Sequence, residues 1–207
     1  MFTGLVDDVG VITGVNSTAA GREVEMHCSY DDLVVGESVS CNGACLTVTD
    51  CGPRRFRVAA IATTIGRTTI GSWEPGRRLN LERAMRADGR FGGHIVLGHV
   101  DGVGTVRAAT THGDAHLIDI EVPPEVAALL IPHGSITVDG VSLTVNALPA
   151  PGVLQVSIIA HTLRTTTLGA LHAGDAVHLE SDVIGKYVQR LVGGPPERLA
   201  PNRSAFD

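Results

Sequence analysis

The chain is written twice, and this duplication constrains the fold more than any other feature. Asn42-Gly43-Ala44-Cys45-Leu46-Thr47-Val48 returns as Asp139-Gly140-Val141-Ser142-Leu143-Thr144-Val145, with Gly, Leu, Thr and Val in register and Cys exchanged for Ser. Gly4-Leu5-Val6-Asp7 pairs with Gly98-His99-Val100-Asp101, and the Thr64–Gly71 stretch pairs with Thr162–Gly169. The three blocks keep one order, which marks a duplicated domain. A solenoid shares its core among three or more repeats. With only two copies, each must close a core of its own. Two related pockets that differ at selected positions suit a reaction that uses two similar molecules in unlike roles.

Local patterning points to β structure. Ser135-Ile136-Thr137-Val138, then Asp139-Gly140, then Val141 to Val145 reads as a hairpin, because Asp-Gly tolerates the positive φ of a two-residue primed turn. Asn42-Gly43 plays the same part in the first copy. Ile118, Ile120 and Val122 alternate with polar residues, as in a half-buried strand. The chain has 25 glycines for tight turns, and only 3% aromatic residues, so the cores must be Val, Ile, Leu and Ala. Short strands bounded by such turns predict a sandwich or barrel. Helix signals are few. Pro123-Pro124-Glu125 opens a short helix through Val126 and Leu130. Ser181 or Asp182 caps a second, in which Val183, Ile184, Tyr187, Val188 and Leu191 share one face before Gly193-Gly194-Pro195-Pro196 ends it. That stripe packs on its own domain or on another subunit. The Pro-rich polar stretch from Pro195 to Asp207 predicts disorder. Glu82 to Gly93 has the composition of a linker.

A net charge of −6 with no basic run argues against nucleic acid. No apolar run has the length of a membrane span, and no secretion signal is recognisable, so a cytoplasmic protein is expected. The four cysteines do not have paired metal-knuckle spacing. Most of the cysteines (Cys28, Cys41, Cys45 and Cys51) read as small buried side chains; only Cys45 lies in a repeated block. His94 and His99 are five apart and lack an acidic partner in a metal pattern. His94 is expected to brace the linker by hydrogen bonding.

These blocks resemble the trimeric, lumazine-binding riboflavin synthase family (its alpha chain). The likeness runs from Met1-Phe2-Thr3-Gly4 to Lys186-Tyr187-Val188. Its most specific elements are that start, Asn42-Gly43 with Cys45 to Val48, and Gly92-Gly93-His94 with Gly98-His99-Val100-Asp101-Gly102. Asp139 to Val145, His161-Thr162-Leu163 and Asp182-Val183-Ile184 add to them. The resemblance implies an all-β fold: two tandem six-stranded antiparallel Greek-key β-barrels, residues 1–89 and 90–182, and a C-terminal helix, 183–194, that assembles a homotrimer. It implies dismutation of two 6,7-dimethyl-8-ribityllumazine molecules, one in each barrel, to riboflavin and 5-amino-6-(ribitylamino)uracil. The productive site would lie between the first barrel of one subunit and the second barrel of its neighbour, with no metal or redox cofactor. Association with lumazine synthase is a further partner that the resemblance allows.

The chemistry fits the duplication. The lumazine 7-methyl is acidic because its carbanion delocalises into the ring, and the second molecule is attacked at its electrophilic C7. Stacking the two in register supplies roughly 7–11 kcal/mol through orientation alone. Cys45 pairs with Ser142, and His99 with Leu5, so the polar group changes while the surrounding pattern persists. The resemblance casts Cys45, His99, Ser142, Ser38 and Asp182 as catalytic. His99 and Ser142 would handle proton transfer, histidine because its ordinary pKa is near neutral, and Cys45 would serve the other ligand as nucleophile or acid–base partner. Substrate contacts are expected from Gly4, Leu5, Val6, Leu46, Thr47, Ala62, Thr63, Thr64, Ile65, Gly98, Val100, His133, Leu143, Thr144, Ile159, Ala160, His161 and Thr162. Backbone groups of Leu46-Thr47 and Leu143-Thr144 would pair with the uracil-like edge of the ring. Plainer roles remain open: Cys45 as interior filler, Ser142 satisfying the hairpin backbone, Ser38 (with its counterpart Ser135) structural, Asp182 a helix cap.

The sequence also departs from the family. Thr63-Thr64-Ile65-Gly66 replaces a Glu-Thr-Leu-Arg segment, removing a carboxylate and a cation, and Arg67, one place late, would face the opposite side of a strand. Ile159-Ala160 replaces Ile-Pro, His133 replaces a lysine, and His178 stands where Asn80 stands in the first copy. Three alternatives to a working synthase follow: a paralogue that binds a lumazine or flavin without turnover, a structural subunit of a flavin-making assembly, and a synthase for a modified lumazine.

Overall fold

The computed structural model describes residues 1–113 and 115–193. In the first half β1 (Asp8–Thr18), β2 (Gly21–His27), β3 (Ser38–Cys41), β4 (Ala44–Gly52), β5 (Arg55–Ile61) and β6 (Arg78–Arg83) close a barrel in the order β1-β2-β5-β4-β3-β6. In the second, β7 (Gly102–His112), β8 (Ala115–Glu121), β9 (Ser135–Val138), β10 (Val141–Ala150), β11 (Val153–Ile158) and β12 (Ala176–Ser181) repeat it as β7-β8-β11-β10-β9-β12. All pairs are antiparallel. Closure removes the free sheet edges that short strands otherwise leave. Among the described residues there are four α-helices: α1 (Ala62–Ile65), α2 (Pro124–Ala127), α3 (Ala160–Thr165) and α4 (Val183–Val192). The helix expected through Leu130 is thus a single turn, and the expected tail, Pro195 to Asp207, lies outside the described residues.

Each barrel has its own core. Val24, Val39, Phe56, Leu79 and Leu81 are among those filling the first; Ile118, Ile120, Ile136, Leu154 and Leu179 are among those filling the second. The expectation of two independent cores holds, with one exchange. Val100, which leads the second copy, packs on the first core, and Val6, which leads the first copy, packs on the second. Phe2 bridges Val96 antiparallel, so the two leading segments cross.

The barrels meet through their hairpin tips. Asn42 (φ 46°) with Gly43 (φ 81°) and Asp139 (φ 45°) with Gly140 (φ 78°) have the all-positive φ of a type I′ turn. A Cβ on Gly43 would fall 2.8 Å from the Gly140 nitrogen, and one on Gly140 2.7 Å from the Gly43 nitrogen, so only glycine permits this approach. Side chains lock the seam reciprocally. The Asn80 amide donates to the Asp139 carbonyl at 2.9 Å and accepts from the Thr167 N–H at 2.7 Å. His178 does the same in reverse: Nδ1 lies 2.8 Å from the Asn42 carbonyl, and Nε2 accepts from the Thr69 N–H at 2.8 Å. A carbonyl has no proton to give and a backbone N–H no lone pair, so the ring is neutral with its proton on Nδ1. One face of histidine thereby reproduces an asparagine amide, which is why the Asn-to-His change between copies is accommodated.

Candidate functional site

The first barrel opens where β4 and β5 part. Their ladder begins at Val48↔Val58, while Cys45 and Thr47 pair across to β3 with Ser40 and Ser38. The Cys45 N–H points away from β3 and donates to the Gly98 carbonyl at 2.8 Å. By the alternation of an antiparallel strand, Thr47 directs its N–H and C=O to that same edge, while Leu46 turns its own toward β3. Of the two residues expected to present backbone groups to a ligand, Thr47 has them on the open edge, and Leu46 has its own on the β3 side with its side chain in the core.

Into this gap comes the segment leading the second copy. Gly98 sits at φ 76°, and a Cβ there would fall 2.5 Å from the Cys45 Cβ. Glu180 holds the segment, accepting from the Leu97 and His99 N–H groups at 2.8 and 2.9 Å. A cavity of about 360 Å³ results, lined by Cys45, Thr63, Thr64, Arg67, His99 and Val100 among others. Cys45 is a half-buried free thiol and His99 is exposed to the cavity mouth. α1 directly follows β5 and brings Thr63 and Thr64 to the wall, while Ile65 turns to the core and Ala62 stays exposed. Because this segment is a helical turn and not a strand, the place-late argument for Arg67 fails: Arg67 lines the same cavity as Cys45 and His99.

The second barrel repeats the construction. β10 leaves β11 before Val145↔Val156, the Ser142 N–H donates to the Gly4 carbonyl at 2.8 Å, and Glu82 accepts from the Thr3 and Gly4 N–H groups at 2.7 and 2.9 Å. Burial pushes the carboxyls of Glu82 and Glu180 up, and these backbone donors pull them back down. Neither glutamate was singled out from the sequence. The signal was there: Leu81-Glu82 and Leu179-Glu180 repeat in the closing strands.

The polar groups at this second mouth differ. His94 Nδ1 lies 2.7 Å from Ser142 Oγ, with Nε2 buried and unpartnered among the described residues. Burial holds His94 below the usual histidine pKa against the opposing pull of the nearby Asp182 carboxylate. An orphaned N–H is worse than an orphaned lone pair, which puts the His94 proton on Nδ1 and leaves the Ser142 proton free to donate elsewhere. The side-chain hydrogen bond of His94, expected to brace the linker, instead goes to Ser142, which it orients. Asp182 caps α4, accepting from Ile184 at 2.9 Å. Leu5 is half-exposed beside Gly92, and Val6 and Leu143 pack on the core. Thr144, Ile159, Ala160 and His161 are exposed and Thr162 half-buried. His133 takes a left-handed φ of 64° in the loop before β9, and Ser38 is half-buried opposite Thr47.

Within one chain the structure groups Cys45 with His99 and Ser142 with His94. The expected pairing of His99 with Ser142 does not occur inside the chain. α4 leaves an unpartnered stripe, with Ile184, Tyr187, Val188 and Leu191 60%, 68%, 52% and 80% exposed, while Lys186 ties the helix to Asp101 at 2.7 Å. No helix among the described residues is long and apolar enough to cross a membrane.

Comparison with known proteins agrees with this architecture. The lumazine binding domain family matches residues 3–84 and again 97–182. The riboflavin synthase of Mycobacterium tuberculosis (strain ATCC 25618 / H37Rv) is 42% identical over 197 residues, spanning 93% of this chain and 98% of the relative. That of Bacillus subtilis (strain 168) is 38% identical over 194 residues, spanning 93% and 90%. The crystal structure of LumP complexed with riboflavin superposes with a TM-score of 0.78 at 23% identity, covering 87% of this chain and 99% of that one, a likeness of fold. On two matched repeats and relatives aligned along nearly their whole length, the chain belongs to the lumazine-binding riboflavin synthase family.

Proposed function

We propose that the protein is a riboflavin synthase, a transferase that moves a four-carbon unit between two 6,7-dimethyl-8-ribityllumazine molecules to give riboflavin and 5-amino-6-(ribitylamino)uracil. The observation that carries this reading is the pair of mouths built alike in backbone and unlike in chemistry: thiol and imidazole at the first, serine hydroxyl oriented by His94 at the second. A dismutation needs both, since one molecule must lose a methyl proton while the other receives the carbanion at C7.

In this reading residues 1–89 and 90–182 are the two lumazine-binding units, and the exposed stripe of α4, within 183–194, assembles a homotrimer in the cytoplasm. The first mouth of one copy then faces the second mouth of its neighbour. The Thr47 and Thr144 backbone edges hold the uracil-like sides of the rings. His99 moves the proton, Cys45 attends the same ligand as nucleophile or acid–base partner, and Ser142 donates a hydrogen bond to the opposed ring. Ser38, across from Thr47 at the first mouth, and Asp182, near His94 at the second, complete the catalytic set in this reading.

Incubating the protein with the lumazine alone tests the reading. Flavin fluorescence is expected without added cofactor; stable stoichiometric binding with no product would instead make the protein a flavin or lumazine carrier. His99→Ala is expected to lower turnover by about a hundredfold, the ordinary worth of a positioned general base, with ligand binding changed far less. Undiminished turnover in that variant would remove His99 from the chemistry.

A further inference from the structure

Arg67 is the one prominent feature of the first mouth that the reaction as described leaves without a task. Its guanidinium has no hydrogen-bond or ion-pair partner among the described residues, although the other arginines of this barrel include several engaged in ion pairs. It stands at a junction. Arg67, Thr68 and Val100 line the cavity that holds Cys45 and His99, and the same three line an adjoining hollow of about 540 Å³. Anything that leaves the ring seat on that side passes the guanidinium.

The far hollow has a mixed polar wall. Asp101 and Glu125 line it together with Arg67 and Thr68. Asp101 is already held by Lys186 at 2.7 Å and by the Ser181 N–H at 2.8 Å, whereas Glu125 has no such partner among the described residues. The lining therefore offers both guanidinium donors and a carboxylate acceptor. A hydroxyl both donates and accepts, so a neutral chain of hydroxyls satisfies both groups. A phosphate would be drawn to Arg67 and repelled by the two carboxylates.

We propose that Arg67 is a specificity-determining residue that grips the polyol chain of the ligand seated in the first barrel, acting with Glu125. This rests on the lumazine reading above and names which part of that ligand is recognised here. The second barrel lacks the arrangement. Its counterpart of Arg67 is Thr165, and Arg164 stands one position earlier, about 100° round a helical turn. The device thus adds to the chemical difference between the mouths.

The test is fluorescence titration of the full-length protein and its Arg67→Ala variant with riboflavin, with lumiflavin (the same ring bearing a methyl in place of the polyol), and with flavin mononucleotide. Arg67→Ala is expected to weaken riboflavin at one class of sites by about tenfold, the scale of a charged hydrogen bond, and to leave lumiflavin unchanged. In turnover it raises KM for the lumazine with kcat nearly constant. Arg67→Lys, which keeps the charge but loses the fork, is expected to fall between. Equal effects on riboflavin and lumiflavin, or none on either, would overturn the assignment, as would tighter binding of flavin mononucleotide than of riboflavin. Failure of the unsubstituted protein to bind any flavin is a different outcome: it defeats the lumazine reading itself.

Discussion

Removing the chain from Val183 onward is expected to cut flavin formation by about 100,000-fold while leaving each barrel able to hold a flavin. Holding two reactants in register is worth roughly 7–11 kcal/mol, and neither mouth alone combines both sets of polar groups. Cys45 and His99 border one cavity, and Ser142 and His94 belong to the other mouth of the same chain. The stripe of Ile184, Tyr187, Val188 and Leu191 repeats at helical spacing and is largely exposed, which is what a helix docked on other copies requires. Sedimentation of the truncated protein should give the mass of one chain. Tyr187→Glu with Leu191→Glu, which keeps the Asp182 cap and the Lys186–Asp101 pair, should act likewise. A truncated chain that keeps its assembled mass, or its turnover, would break the link between helix and catalysis.

The second large effect concerns the seam. Asp139 is fully enclosed, its carboxyl accepts from the His178 N–H at 2.8 Å, and burial raises its pKa from 3.8 to about 7. The unfolded chain ionises this group from about pH 4 upward, so its contribution to stability is greatest below that and is lost as pH rises to about 7. Its counterpart Asn42 makes the equivalent bond to the Asn80 N–H at 2.6 Å with nearly the same backbone. Asp139→Asn should therefore stabilise the protein by about 4 kcal/mol at about pH 8, and by nothing below about pH 4.

His178 has the opposite sign. Burial lowers its pKa from 6.5 to about 4, so the stability of its neutral ring is full above 6.5 and is lost as pH falls toward 4. The two slopes oppose each other over most of that range in the natural sequence. Asp139→Asn should expose the His178 slope, with stability falling on acidification. His178→Asn should expose the Asp139 slope, with stability rising by about 3 kcal/mol relative to the natural protein on going from about pH 7 to about pH 4. Denaturant melts across that range check both; parallel curves for the two variants would show that the seam does not titrate this way.

The sequence made the architecture legible because its strongest signals are local. Asn42-Gly43 and Asp139-Gly140 declare their hairpins by turn chemistry, and the repeat guarantees that one barrel copies the other. What was not legible depends on chain crossing. Nothing local says that Gly98 docks on Cys45 while Gly4 docks on Ser142, so the grouping of His99 with Cys45 was hidden, as was the clamp made by Glu82 and Glu180. The position of Arg67 is not legible either, because the Thr63–Gly66 stretch carries β-compatible residues and no cap, and reads as a strand. α1 has no side-chain cap, so the sequence carries no local start signal for it.

Mixing two disabled proteins tests the central claim most directly. Co-refolded His99→Ala and Ser142→Ala chains each carry one intact mouth of the opposite kind. If a productive site joins the first mouth of one copy to the second mouth of another, random assembly restores about a quarter of the sites, and flavin formation rises well above that of either variant alone. Activity that never exceeds the sum of the two separate variants would contradict the account.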